Sequence, residues 1–314
     1  MRPIRRMETI QIELTNACVR QCSNCTRLVG HFEKPYFLSF DHFKRAVDSL
    51  VDYVKQPGKL RIVGIMGGEP LLHPEFEKFC EYLRSKIPWE NTGLWSTFPP
   101  GKEHLGDVIA QTFGNVFLND HSREDVLHHP VLVAADEICE DKNDMWTAIN
   151  DCWINKFWSA SINPNGAYFC EVAAAMGMLF RIPGWRVEPG WWKTAPIDYA
   201  IQMRIFCSRC GCAMPLKKRY SIEEIDDVSP GMLSRLEKIS PKIKAGKYVV
   251  HDLKLYDDRR PTATYKDISW RKKIADRYDL VLVLNDHGYM SPYAKVIERR
   301  RKKENKEKEI AAGL

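Results

Sequence analysis

The stretch ETIQIELTNACVRQCSNC, residues 8–25, runs an alternating segment straight into three cysteines. Residues 8–14 alternate polar and apolar side chains, the period of a β-strand. Cys18, Cys22 and Cys25 then follow as CxxxCxxC. A structural zinc site uses four closed ligands, usually as two CxxC-like pairs. A disulfide framework belongs to a short secreted chain. Three thiols on a loop after a strand suit a thiolate-held cluster that keeps one position open for another molecule.

Moving outward, residues 38–54 carry apolar side chains at helical spacing, with Ser39 as N-cap. Residues 59–66 read as a second strand and end in GGEP (67–70). A helix is expected over 74–87 with Pro74 at its start. A third strand at 92–97, a helix near 103–112, a fourth strand at 115–120 and a fifth at 130–137 follow. Strands alternating with helices imply a mostly parallel sheet or barrel. Ligands collect at the C-terminal ends of such strands, so the cysteine loop and GGEP share a mouth. There Gly67 and Gly68 would let the backbone approach a ligand closely. Glu69 would accept from a cationic amino group, and Pro70 would stiffen the exit. Ser96, Thr97, Asn119 and Asp120 are further mouth positions and equally good turn formers.

The pattern changes after residue 150. Residues 156–171 read as a hairpin around Pro164-Asn165-Gly166. A Pro-, Gly- and Trp-rich irregular segment precedes CSRCGC (207–212). Cys152, Cys170, Cys207, Cys210 and Cys212 thus fall in a small, loop-rich section of the kind a metal staples. Three units are expected: a core over 1–150, a cysteine-bearing module over 151–215, and a mostly helical C-terminal region over 216–314. That last region contains an apolar strand at 279–284 and a Lys/Glu tail at 298–309.

The 314-residue chain has a formal charge of +6, with 44% hydrophobic and 28% charged residues, ordinary for a globular protein. No apolar run reaches membrane-spanning length, and the basic N-terminus lacks the apolar segment of a signal peptide. A cytoplasmic location without a membrane partner is expected. Ten cysteines in a reducing compartment point to metal or redox chemistry. Cys80 reads as a buried small hydrophobe and Cys139 as a core or loop residue. The tail reads as a solvated helix, and no nucleic-acid partner is expected.

CxxxCxxC preceded by LTNA and followed by GGEP resembles the radical S-adenosylmethionine (SAM) superfamily. The resemblance implies a partial (β/α)6 TIM-like barrel with a small cysteine-bearing hairpin extension and a helical C-terminal region. It implies an open-site [4Fe–4S] cluster on Cys18, Cys22 and Cys25 that chelates SAM, with Gly67, Gly68, Glu69 and Pro70 near the SAM amino group. One-electron reduction by an external flavodoxin- or ferredoxin-type partner would give a 5′-deoxyadenosyl radical, which takes a hydrogen atom from substrate. Asn24 stands where many members carry an aromatic residue, so the adenine contact is a polar one from Asn24 or comes from elsewhere. Ser96 is a further expected cofactor contact.

The five later cysteines resemble a compact SPASM or twitch extension. This implies a second [4Fe–4S] cluster on Cys152, Cys170, Cys207 and Cys210, with Cys212 as the alternative fourth ligand. The Gly166–Cys170 spacing is one residue short of that pattern. A zinc site on the same residues is the competing reading. A spare Cys212 or Cys139 could return a hydrogen atom to a substrate radical.

Strand one begins near residue 8, leaving no space for a leader-recognition domain, which favours a small polar substrate such as a sugar, aminocyclitol or nucleotide-sugar. The expected outcome is dehydrogenation helped by the second cluster. The alternatives are an epimerase, a peptide-modifying enzyme and, more distantly, a non-catalytic metal-stapled binding protein. Trp185, Trp191 and Trp192 read as core before sugar platforms. His73, His104, His121, His128 and His129 are candidate bases that no motif separates.

Overall fold

The computed structural model describes residues 1–119, 121, 124–157, 159–255, 275–278, 280, 283–284 and 290–291. The strand at the head of the cysteine loop, β1 (Thr9–Glu13), lies inside the main sheet, with Ile10 to Glu13 all buried. β2 (Ile62–Met66), β3 (Thr92–Ser96) and β4 (Asn115–Leu118) follow in parallel, each after a helix. Those helices are α1 (Phe40–Val54), α2 (Phe76–Lys86) and α3 (Gly106–Thr112). Ser39 caps α1 by accepting from the His42 amide. α1 buries Phe43, Ala46, Val47, Leu50 and Tyr53, a stripe at helical spacing. It meets α2 where Phe43 stacks on Phe79 at 4.4 Å. Cys80 is 2% exposed in this core, as a small hydrophobe should be. α2 starts at Phe76, two residues beyond Pro74, because the His73 ring takes the Glu75 amide in a turn.

The expected fifth strand at 130–137 does not form. β5 (Leu127–His128) is only two residues long and pairs outside the main sheet. Val131, Leu132 and Val133 pack into the core as bends, Leu132 making one isolated bridge to Val228. A short apolar run is buried in either conformation, so periodicity alone does not separate them. The chain continues through α4 (Ala135–Ile138), α5 (Lys142–Asn150) and α6 (Trp153–Phe157).

β6 (Ala160–Asn163) and β7 (Gly166–Tyr168) form the hairpin around Pro164 and Asn165. The hairpin is continuous with the central sheet, because β6 pairs in parallel with β1. After it come α7 (Glu171–Leu179) and α8 (Pro196–Phe206), both in stretches with no helix expectation.

The C-terminal region, expected to be mostly helical, begins instead as a mixture. It has β8 (Arg219–Tyr220), β9 (Asp226–Val228), α9 (Pro230–Leu236), α10 (Pro241–Lys244) and β10 (Tyr248–Val250). β11 (Val283–Leu284) falls within the expected strand 279–284 and pairs with β12 (Met290–Ser291). The Lys/Glu tail at 298–309 lies outside the described residues.

The result is a mixed α/β fold around an eight-stranded sheet of order β11-β12-β4-β3-β2-β1-β6-β7. Five strands, β4 to β6 in that order, run parallel; β7 and β12 border them antiparallel. Six parallel strands were expected; the missing one is the segment at 130–137. No helix among the described residues is long and apolar enough to cross a membrane.

Both faces of β1 are covered, as in parallel sheets generally. Ile10, Ile12, Val63, Ile65, Leu94 and Val116 face the helices in the main core. Ile62, Met66 and Trp95 form a separate small cluster with Phe117 on the other face. That second face is the floor of the candidate site.

Candidate active site

The loop after β1 holds Cys22 buried and Cys18 and Cys25 half-buried. Burial pushes the Cys18 and Cys22 thiols up to about 12. The loop is fastened from outside by the C-terminal region. The Lys242 ammonium is completely buried and donates to the Gln21 and Cys22 carbonyls at 3.1 Å and to Asp226 at 3.0 Å. Asp226 also accepts from the Asn24 amide and lies 2.7 Å from His31 Nε2. Burial alone would raise the Asp226 pKa, but the bonds from His31 and Lys242 outweigh it and hold the carboxyl below its usual value. The Asn24 side chain is spent on this clamp: its Nδ2 donates to Asp227 at 2.8 Å and its Oδ1 accepts from the Asp227 amide at 2.9 Å. Asn24 therefore anchors the loop, although it also reaches the cavity wall.

GGEP meets the same loop from β2. A Cβ on Gly67 would lie 2.2 Å from the Thr15 carbonyl oxygen, and one on Gly68 would lie 2.3 Å from that of Ala17. Both glycines are thus required by the cysteine loop itself, and both also line the cavity described below. The Gly68 amide donates to Thr15 and the Glu69 amide to Ala17, each at 2.7 Å.

Glu69 is fully buried, and each carboxylate oxygen already takes two bonds. Oε1 accepts from Leu71 N and Ser96 Oγ; Oε2 accepts from Thr97 N and Thr97 Oγ1. Glu69, Pro70 and Ser96 lie outside the cavity lining, while Gly67, Gly68, Thr97 and Asn119 are part of it. Glu69 therefore ties the exit of β2 to that of β3. Asp120 is outside the described residues.

Between these elements opens a cavity of about 710 Å³ lined by Cys18, Cys22, Cys25, Gly67, Gly68 and Thr97 on one side. On its floor a buried polar cluster gathers around Arg27. Arg27 Nη1 donates to Glu13 at 2.7 Å, and Nη2 donates to Glu171 at 3.1 Å and to Gln11. Glu13 also accepts from Ser161 at 2.6 Å and Tyr36 at 3.1 Å. Burial nonetheless raises its pKa. A cluster this dry is costly unless its members are matched. Sequence reading missed Gln11, Glu13, Arg27 and Glu171. The only signal was the polar half of the ETIQIEL alternation, which in a doubly covered strand faces a second interior.

The later cysteines converge from three segments. Cys152, Cys170, Cys207, Cys210 and Cys212 all line one small apolar cavity of about 30 Å³. Burial pushes the Cys152 thiol up to about 11, and Cys170 and Cys207 well above the ordinary thiol value. A hydrogen bond from Cys212 lowers the Cys210 thiol. Cys212 also lines the large cavity, so it stands between the two sites. Cys139 lines neither; its sulfur lies 3.3 Å from Met214 Sδ in a separate apolar cluster.

All ten cysteines are free thiols. Among the described residues, no three His, Cys, Asp or Glu side chains converge as the ligands of a single ion do. A cubane spreads its thiolates over separate irons.

Of the histidines, His121, His128 and His129 reach the large cavity. Burial lowers His121 to about 3, so it is neutral at pH 7. His73 is buried on the Leu38 carbonyl, and His104 is exposed on a turn. Trp191 and Trp192 are core residues, Trp191 donating to Ser49 at 3.2 Å, and Trp185 packs against the same core.

No family model matches the chain, and no curated protein matches it. Two solved structures are similar to it. One is BtrN in complex with AdoMet and 2-DOIA, 12% identical, covering 64% of this chain and 88% of BtrN with a TM-score of 0.44. The other is selenomethionine BtrN in an open conformation, 12% identical, covering 68% and 96% with a TM-score of 0.41. Likeness at this distance carries no function.

Proposed function

We propose that the chain is a radical SAM enzyme that dehydrogenates a small polar substrate with the help of a second iron–sulfur cluster. The observation that carries this is one cavity, at the C-terminal ends of parallel strands, walled by Cys18, Cys22, Cys25, Gly67, Gly68 and Thr97. Its volume of about 710 Å³ suits a cofactor with a small substrate.

The donor set fits the group. Desolvation raises all three thiols above their ordinary value, and bound metal would convert them to thiolates. A [4Fe–4S] cluster held there with SAM would supply a 5′-deoxyadenosyl radical. The remaining work belongs to the chain. Lys242 and Asp226 fix the loop, and Glu69 fixes the β2 and β3 exits against each other.

Five thiols in one apolar cavity likewise fit a second cluster, which would be an acceptor for the electron lost in net oxidation. Cys212, at the boundary of both cavities, favours a second reading: a hydrogen-atom donor in an epimerase. Solvent deuterium in the product separates the two. An external flavodoxin- or ferredoxin-type reductant completes either scheme, in a reducing compartment.

The test is anaerobic incubation of reconstituted protein with SAM and dithionite. We expect 5′-deoxyadenosine and methionine from the wild type and none from Cys22→Ala. Absence of 5′-deoxyadenosine from wild-type protein that holds its iron would overturn the reading.

A further inference from the structure

The clamp on the cysteine loop uses an ion pair where neutral groups already hold the chain. An ammonium has three donors, and Lys242 finds an acceptor for each: the Gln21 and Cys22 carbonyls at 3.1 Å and Asp226 at 3.0 Å. Asp226 also accepts from the Asn24 amide and meets the His31 ring. The two side chains are 0% and 2% exposed. Both are fixed from behind. The Lys242 amide donates to the Gly30 carbonyl at 3.1 Å. Ser240 Oγ accepts from the Ile243 amide at 3.1 Å and lies 2.7 Å from His31 Nδ1, whose other ring nitrogen meets Asp226. A Cβ on Gly30 would come within 3.2 Å of Lys242 Cδ, so glycine leaves room for the lysine stem.

Anchoring alone does not call for these charges. Ser23 ties the same loop to the C-terminal region with neutral bonds, its amide donating to the Ser221 carbonyl at 2.9 Å and its hydroxyl accepting from the Ile225 amide at 3.0 Å. A buried ion pair adds little net stability over apolar side chains of similar volume, because both charges must leave water. What it does supply is a field that solvent does not screen. Lys242 places its charge on the backbone of Cys22, and Asp226 places its own on the amide of Asn24, beside Cys25. Neither side chain lines the large cavity, so neither touches what binds there.

We infer that Lys242 and Asp226 set the reduction potential of the cluster held by Cys18, Cys22 and Cys25, Lys242 raising it and Asp226 lowering it; this rests on the radical SAM reading for the cluster itself. Net charge near a thiolate-held cluster is one of the determinants of its potential. The electron gained on reduction adds negative charge, which a fixed ammonium favours and a fixed carboxylate opposes. The segment from Asp226 to Lys242 thereby acts on the electron, and not on the substrate.

The experiment is an EPR-monitored potentiometric titration at pH 7 of the full-length, anaerobically reconstituted protein, with dithionite supplying the electron. The signal followed is the one missing from a variant with Cys18, Cys22 and Cys25 changed to alanine. Lys242→Met should lower the ratio of reduced to oxidised cluster at a fixed potential by about tenfold, a fall of about 59 mV for one electron. Asp226→Asn should raise that ratio by a similar factor, and the double variant should return close to the wild type. The signal that survives in the alanine variant is the control and should not move. A clamp that only anchors the loop would shift both single variants the same way or neither.

Shifts of the same sign, shifts of reversed sign, or an unmoved potential in Asp226→Asn overturn the inference. Should Lys242→Met retain no cluster, the upward shift in Asp226→Asn decides by itself. A wild type with no signal dependent on the three cysteines overturns both the inference and the cluster assignment. SAM cleavage, measured in parallel on the wild type, reports on the other reading. Potentials that shift as expected without SAM cleavage remove only the proposed reaction. SAM cleavage with potentials indifferent to both substitutions removes only the role of the ion pair.

Discussion

Replacing Gly68 by alanine should destabilise the protein before any ligand is present. The new Cβ would lie 2.3 Å from the Ala17 carbonyl oxygen, 2.8 Å from its carbon and 2.9 Å from the Asn16 oxygen. All three are backbone atoms of the cysteine loop, so no side chain can rotate away. Widening the shortest contact to 3.0 Å moves backbone by about 0.7 Å, the difference of the two distances. Overpacking of this kind costs about 1–3 kcal/mol. The same movement stretches the 2.7 Å bonds from Gly68 N to Thr15 and from Glu69 N to Ala17. Losing one of them adds about 0.5–1.5 kcal/mol. The total is about 1.5–4.5 kcal/mol. Urea unfolding of iron-free protein, followed by fluorescence, should show a midpoint lowered by on the order of 1 M. An unchanged midpoint accompanied by weakened SAM binding would refute the packing argument. It would leave making room for a ligand as the role of these glycines.

Glu69→Gln places an amide nitrogen against donors from Leu71, Ser96 or Thr97. It should cost about 1–3 kcal/mol in a thermal melt of the iron-free protein. Lys242→Met leaves buried Asp226 without its ammonium partner, a change worth about 3–5 kcal/mol. It should also lower the iron retained after desalting. Because the Asp226 pKa is depressed in the folded state, its contribution is present above the unfolded value of about 3.9 and is lost as pH falls through the folded value. Asp226→Asn should therefore flatten the acid limb of the stability profile below about pH 4 while lowering the neutral plateau.

The strand–loop–strand order that puts Cys18, Cys22 and Cys25 beside GGEP was legible in the sequence, because period-two strands and capped helices are local signals. Ser39 at the N-terminus of α1 and the turn at Pro164-Asn165 belong to the same class. The convergence of Cys152, Cys170 and Cys207–Cys212 was legible as a grouping of residue types.

What the sequence hid is long-range. Nothing in QIE says that Gln11 and Glu13 face a buried floor; a strand covered on both sides shows that only through its partners. The clamp from Lys242 and Asp226 joins segments more than 200 positions apart. The packing role of GGEP was hidden for a physical reason: a glycine required by a neighbouring carbonyl and one required by a ligand look the same in one dimension. The run at 130–137 reads as a strand because burial, not pairing, determines its composition.

The central claim is that Cys18, Cys22 and Cys25 hold one cluster and the later cysteines another. Iron and labile sulfide per chain, on anaerobically reconstituted protein, test it most directly. The comparison is a variant with those three cysteines changed to alanine. The account predicts about eight irons and eight sulfides in the wild type, falling to about four of each in the variant, as two thiolate-held cubanes require. Iron that is unaffected by loss of the three cysteines would contradict it.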